Sequence, residues 1–151
     1  MSGKRTVRLE DKRWTDTFVA ADLDTFQTFV NPHRRLERKI VELTGIEDEM
    51  VAEAPEEAEA VRAFLDFAGE LPLLGHNLIF DYGFLKQAAV NAFFSFERRG
   101  IDTLKIARKV LKVPESKSLD ELCKYFRIFR KKKHRAVDDA EAAAELFFLL
   151  K

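Results

Sequence analysis

A helix that must be buried, and that carries a carboxylate on its buried side, constrains this chain more than any other feature. The stretch "HRAVDDAEAAAEL" (134–146) holds two adjacent aspartates at a helix start. Asp138 shares its stripe with Glu141 and Glu145, so it belongs to a solvated face. Asp139 shares its stripe with Ala142, Ala143 and Leu146, an apolar face. A carboxylate there is costly unless something pairs with it, whether an arginine, a backbone donor or a metal ion.

A second helix repeats the problem. After Asn77 the run "LIFDYGFLKQAAVNAFF" places Asp81 on a stripe with Phe84, Leu85 and Ala88. Two acids converging from two helices would repel each other. Divalent cations relieve such repulsion, and hard cations select oxygen ligands. Carboxylates converging on metal ions are the apparatus of phosphodiester cleavage. His134, just before the last helix, could take the proton from the attacking water. Each acid alone has a plainer explanation, because the helix dipole favours a carboxylate in any first turn. Their joint occurrence beside a histidine points to a site.

Charge distribution adds a direction. The 151 residues hold 26 Lys+Arg and 26 Asp+Glu, so net charge selects no partner. Residues 47–59 are acid-rich, whereas "RIFRKKKHR" (127–135) is strongly basic and abuts the last helix. A basic run is commonly a solvated loop, and this position makes it a candidate surface for a polyanion. Cys123 is the only cysteine, which excludes an intramolecular disulfide and a cysteine-based zinc site. With no apolar run of membrane-spanning length and no signal-peptide pattern, the sequence reads as a cytoplasmic protein of one domain, 1–151, with no membrane contact.

Periodicity predicts extended chain over residues 5–30, rich in Val, Thr and Phe, ended by Asn31-Pro32. Helices are expected at "LERKIVELT", stopped by Gly45, and briefly within 47–54. Another follows Pro55 through "EEAEAVRAFLDFAG". "LPLLGHN" and "GIDTL" read as short strands. Asn77, Asp102 and Ser118 are the expected caps of the helices after them, Ser118 with Glu121 in a capping box. Strands first, then alternating strands and helices, predict an α/β fold with a mixed sheet flanked by helices.

At this point the sequence resembles a family. "HNLIFD" (76–81), "IDTLKIARKVL" (101–111), "SLDELCKYF" (118–126) and "HRAVDDA" (134–140) are similar to the DEDDh 3′–5′ exonucleases, in particular the proofreading exonuclease of bacterial DNA polymerase III. "TFVNP" (28–32) and "ELTGI" (42–46) match earlier segments of the same family. The resemblance implies an RNase H-like fold, two Mg²⁺ or Mn²⁺ ions, and release of 5′-monophosphates from a nucleic-acid 3′ end. It assigns Asp81 and Asp139 as metal ligands and His134 as general base. Asn77 and Phe80, within the "HNLIFD" motif, are candidate contacts to the nucleic acid, and the basic run adds Arg130, Lys131, Lys132, Lys133 and Arg135 as candidate phosphate contacts. The partner the resemblance implies is a single-stranded DNA or RNA 3′ end; a polymerase subunit or a second copy of the chain is the candidate protein partner, because a missing early strand would leave an unpaired sheet edge.

The departure is at the front. The family's first motif is Asp-x-Glu on the first strand. Two readings stand. In one, "FVAADLDT" (18–25) is an altered first motif, with Asp22 and Asp24 as catalytic metal ligands on one strand face. In the other, "TVRLEDKRWTDTF" (6–18) is the family's second strand and turn, and the first strand is absent. The first reading implies an exonuclease of impaired activity. The second leaves an inactive exonuclease-like binding module or a truncated fragment.

Overall fold

The computed structural model describes residues 5–10, 15–20, 25–132 and 136–150, with side chains from residue 28 onward. The extended front of the chain forms three strands, β1 (Arg5–Glu10), β2 (Thr15–Ala20) and β3 (Thr25–Phe29). They make an antiparallel sheet in the order β1-β2-β3, with Arg5 opposite Ala20 and Thr15 opposite Phe29. A second, parallel pair joins β4 (Leu73–Gly75) to β5 (Gly100–Asp102). β1 lies alongside β4, so the strands follow one another in space as β3-β2-β1-β4-β5.

Seven helices are described: α1 (Arg38–Thr44), α2 (Asp48–Val51), α3 (Glu57–Ala68), α4 (Leu78–Asn91), α5 (Thr103–Val110), α6 (Leu119–Phe126) and α7 (Ala136–Leu149). Every helix and strand read from periodicity is present. Gly45 ends α1 with φ 70°, a left-handed conformation that glycine adopts without penalty. Among the described residues, no helix is long and apolar enough to cross a membrane.

Two apolar clusters hold the helices. Val61 and Phe64 of α3 pack with Leu73 of β4 and with Leu78, Leu85 and Ala88 of α4. Ala107 of α5, Leu122 and Cys123 of α6 and Leu146 of α7 make the other. All three residues of β4 are buried, as expected of a parallel strand covered on both faces. The first cluster explains the apolar stripe of α4, and the second that of α7.

The expected cap at Asn77 is not what the structure has. Asn77 adopts a left-handed backbone, φ 63° and ψ 47°, and its side chain makes no capping bond. The carboxylate of Asp102 takes that role from 25 residues away. Its Oδ1 accepts from the Asn77 backbone N–H at 2.8 Å, and its Oδ2 accepts from that of Leu78 at 3.1 Å. The same Oδ1 also accepts from Leu104 N–H at 2.9 Å, so Asp102 starts α5 as predicted. One acid thus serves two helix N-termini, and the parallel pairing of β4 and β5 brings both within its reach. Ser118 caps α6 as expected, accepting from Glu121 N–H at 3.2 Å.

Asp102→Ala strips both helix starts at once. It is expected to lower unfolding free energy by about 2–3 kcal/mol, since each lost acid cap costs on the order of 0.5–2 kcal/mol. Urea denaturation checks this, and Asp102→Asn, which keeps one acceptor oxygen, should cost less.

Candidate active site

A cleft of about 770 Å³ opens where the C-terminal end of β4 meets α5, α6 and α7. Its walls include His76, Asn77, Lys117, Asp120, Arg130 and Asp139. Two of these, His76 and Asn77, lie at the end of β4 that the Asp102 junction fixes, so this part of the cleft is a product of the strand pairing.

His76 stands at the end of β4 and is 4% exposed. Its Nε2 lies 2.7 Å from the Lys117 carbonyl, which can only accept, so Nε2 carries the proton and donates. Its Nδ1 lies 2.9 Å from the hydroxyl of Thr103. The imidazole therefore ties β4 to the start of α5 and to the loop before α6. That is a positioning role.

Asp139 lies where the helix stripe put it. It is 1% exposed, on the α7 face that also buries Ala136, Ala140, Ala142, Ala143 and Leu146. Asp138 is half-buried, and Glu141 and Glu145 are exposed. Of the three partners the sequence allowed, the structure supplies the arginine. Arg130 Nη1 donates to Asp139 Oδ1 at 2.6 Å, and Arg130 Nη2 donates to Asp120 Oδ1. The Arg130 side chain is only 4% exposed. Burial works against its charge, but the bonds to Asp120 and Asp139 outweigh that and push the guanidinium above its ordinary pKa.

Arg130 is thus not an outward phosphate contact, the role the basic run suggested for it. It points inward because a buried carboxylate stands within reach of its fork. Lys131 and Lys132 are exposed, as a phosphate-binding role requires. Asp120 is the site residue that sequence reading missed. Its only signal was an acid in the first turn of α6, which the helix dipole already accounts for.

Asp81 is half-buried in the first turn of α4, one turn beyond Asn77, and is not among the residues lining the cleft. Phe80 beside it is 63% exposed. His134, Lys133 and Arg135 lie outside the described residues, as do Asp22 and Asp24, which follow the end of β2 in sequence. The strand alongside β4 is β1, "RTVRLE", which contains no Asp-x-Glu.

The donor chemistry suits a divalent ion at Asp139. Its Oδ2 is buried and accepts no hydrogen bond among the described residues, and Asp120 presents a second carboxylate to the same cleft. Hard cations select such oxygens. Among the described residues, no three acids, histidines or cysteines group closely enough to complete a metal site.

The sequence profile of the RNase T exonuclease family matches residues 6–147. The PolC-type DNA polymerase III of Caldanaerobacter subterraneus subsp. tengcongensis is 39% identical over 125 residues, covering 83% of this chain and 9% of the polymerase. The PolC-type polymerase of Bacillus subtilis is 39% identical over 127 residues, with coverage of 82% and 9%. The chain therefore spans less than a tenth of the length of these curated relatives. Among solved structures, the nuclease domain of 3′hExo, a DEDDh family member bound to rAMP, superposes with a TM-score of 0.78 at 17% identity, over 98% of this chain and 90% of that one. Exonuclease X in complex with 5′ overhanging duplex DNA gives 0.72 at 18%, over 97% and 89%. These likenesses establish the fold as RNase H-like, the class expected from the sequence.

Removing Arg130 leaves Asp139 buried without a cation. In metal-free buffer, Arg130→Ala is expected to cost about 3 kcal/mol, the scale for breaking a buried ion pair from one side. Asp138→Ala should stay within about 0.5 kcal/mol, as for a residue outside such a pair. Denaturant midpoints of the two variants check the contrast.

Proposed function

The chain belongs to the RNase T exonuclease family, and on that footing we propose that it is a metal-dependent 3′–5′ exonuclease domain acting at the 3′ end of a single-stranded nucleic acid. The observation that carries this reading is Asp139, an acid held at 1% exposure on the wall of a cleft that Asn77 also lines. An ordinary core helix would place an apolar residue there.

The residues that would hold a divalent ion, Mg²⁺ or Mn²⁺, are Asp139 and Asp81, with Asp22 and Asp24 as the first-motif acids. A bound ion of this kind lowers the pKa of a coordinated water and offsets charge on the phosphate. His134 accepts the proton of the attacking water as general base. Asn77 presents its amide to the terminal nucleotide, because the Asp102 cap frees that side chain from helix duty. Phe80, exposed on the first turn of α4, offers a ring for a base to stack on. Lys131 and Lys132 hold phosphates upstream of the end, joined by Lys133 and Arg135. Similarity to PolC-type polymerases supports a proofreading role alongside a replicative polymerase in the bacterial cytoplasm.

The direct test is a single strand labelled at its 3′ end, incubated with the chain and Mn²⁺ or Mg²⁺. Labelled 5′-monophosphate should appear first and chelator should abolish it. A strand that shortens while keeping its 3′ label would refute the polarity. His134→Ala should lower the rate by roughly 10²–10⁴-fold, the usual worth of a general base. Asp139→Asn should abolish activity, with Asp138→Asn close to wild type.

Binding to the same strand should weaken with salt through counterion release. Lys131→Ala with Lys132→Ala should flatten the log–log slope by about 1.4, at roughly 0.7 per single-strand phosphate contact. A fluorescence-anisotropy salt series measures the slope, and an unchanged value would return these lysines to solvent.

A further inference from the structure

We infer that Arg130 sets the metal affinity of this site by occupying Asp139 as a built-in counter-cation, so that a divalent ion binds only when the guanidinium withdraws. The inference rests on Asp139 being a metal ligand.

Three observations carry it. First, the guanidinium is already where a cation is wanted. Nη1 lies 2.6 Å from Asp139 Oδ1, and the Arg130 side chain is 4% exposed within the cleft wall. Asp139 thus has its charge compensated before any metal arrives. An ion approaching the same carboxylate meets a like charge at short range in a poorly solvated place, where repulsion is weakly screened.

Second, Arg130 has somewhere to go. Its Nη2 is held by Asp120, whose side chain is 36% exposed, far more open than the 2% of Asp139. The guanidinium can let go of the inner acid, keep the outer one, and remain paired at the cleft mouth. A lysine would have no such fork, because its single ammonium lacks two separated donor groups on one plane.

Third, the contact is tertiary. Arg130 follows α6 by four residues, Asp120 is in the first turn of α6, and Asp139 is in the first turn of α7. The same side chain therefore ties α6 to α7 across the cleft. Its release would loosen this tie while metal took over the compensation of Asp139. Metal affinity is then reduced by the competition, and the site switches between an arginine-held and a metal-held state. The exchange trades the Arg130–Asp139 hydrogen bond for coordination of the ion by the same carboxylate, and no covalent bond of the chain is made or broken.

Isothermal titration of the chelator-stripped chain with Mn²⁺ tests the idea without reference to catalysis. Arg130→Leu should bind Mn²⁺ at least tenfold more tightly than wild type. Arg130→Lys, which keeps a charge but loses the fork, should fall between them and serves if the leucine variant does not fold. Circular dichroism establishes folding of each. Combining either variant with Asp139→Asn should remove the gained affinity. Equal or weaker affinity in the Arg130 variants, with Asp139→Asn still abolishing binding, would overturn this inference and leave Asp139 a ligand. Mn²⁺ binding that survives Asp139→Asn would instead remove Asp139 as a ligand, and the inference falls with it. Absence of Mn²⁺ binding in wild type and in the variants alike would also overturn it.

Discussion

A carboxylate enclosed by alanines and a leucine cannot stand alone, and the C-terminal half of this molecule is arranged around that constraint. Taking Asp139 out of water costs several kcal/mol, of order, unless a cation and hydrogen bonds offset it. Arg130 supplies both, and in doing so turns a basic segment inward at one position. The neighbourhood shows how closely packed the arrangement is. Burial pushes the Cys123 thiol above its ordinary pKa, while the nearby Arg130 charge pulls it partly back. The ion pair therefore lies against the same apolar cluster that joins α6 to α7. Packing and charge compensation here are one arrangement, since the arginine reaches Asp139 only while α6 and α7 are held together.

The other half is organised by backbone donors. A helix start leaves unsatisfied N–H groups, and two helix starts meet at the ends of β4 and β5. Asp102 takes three of those N–H groups on one carboxylate. His76 and Thr103, buried just beneath, bind each other and the Gly75 and Lys117 carbonyls. This junction forms the floor of the cleft and leaves Asn77 with a left-handed backbone and a side chain that makes no capping bond. Asparagine tolerates that conformation better than most residues, because its short polar side chain can hydrogen-bond locally.

The family assignment and the geometry support each other from different directions. The similarity of sequence covers nearly the whole chain but a small part of each polymerase relative. It speaks for an exonuclease domain. The cleft contributes what similarity of sequence does not, namely that an arginine sits on the buried acid Asp139. Any account of activity in this chain must therefore include the guanidinium as a participant in the charge balance.

Much of this protein was determined by the sequence alone. Helical periodicity separated Asp139 from Asp138, because residues three and four apart share a face whatever the fold. Local chemistry also located Gly45 as a stop and Ser118 and Asp102 as caps, since each acts on its own neighbours. The family resemblance named Asp81, Asp139 and His134. Tertiary structure alone decided which cation meets Asp139, because Arg130, Asp120 and Asp139 come together only when α6 and α7 pack. It alone made Asp102, not Asn77, the cap of α4, because that contact spans 25 residues and depends on two strands pairing in parallel. Short-range stereochemistry is written in the order of residues. The pairing of charges and donors across the fold is settled by which surfaces are buried against each other.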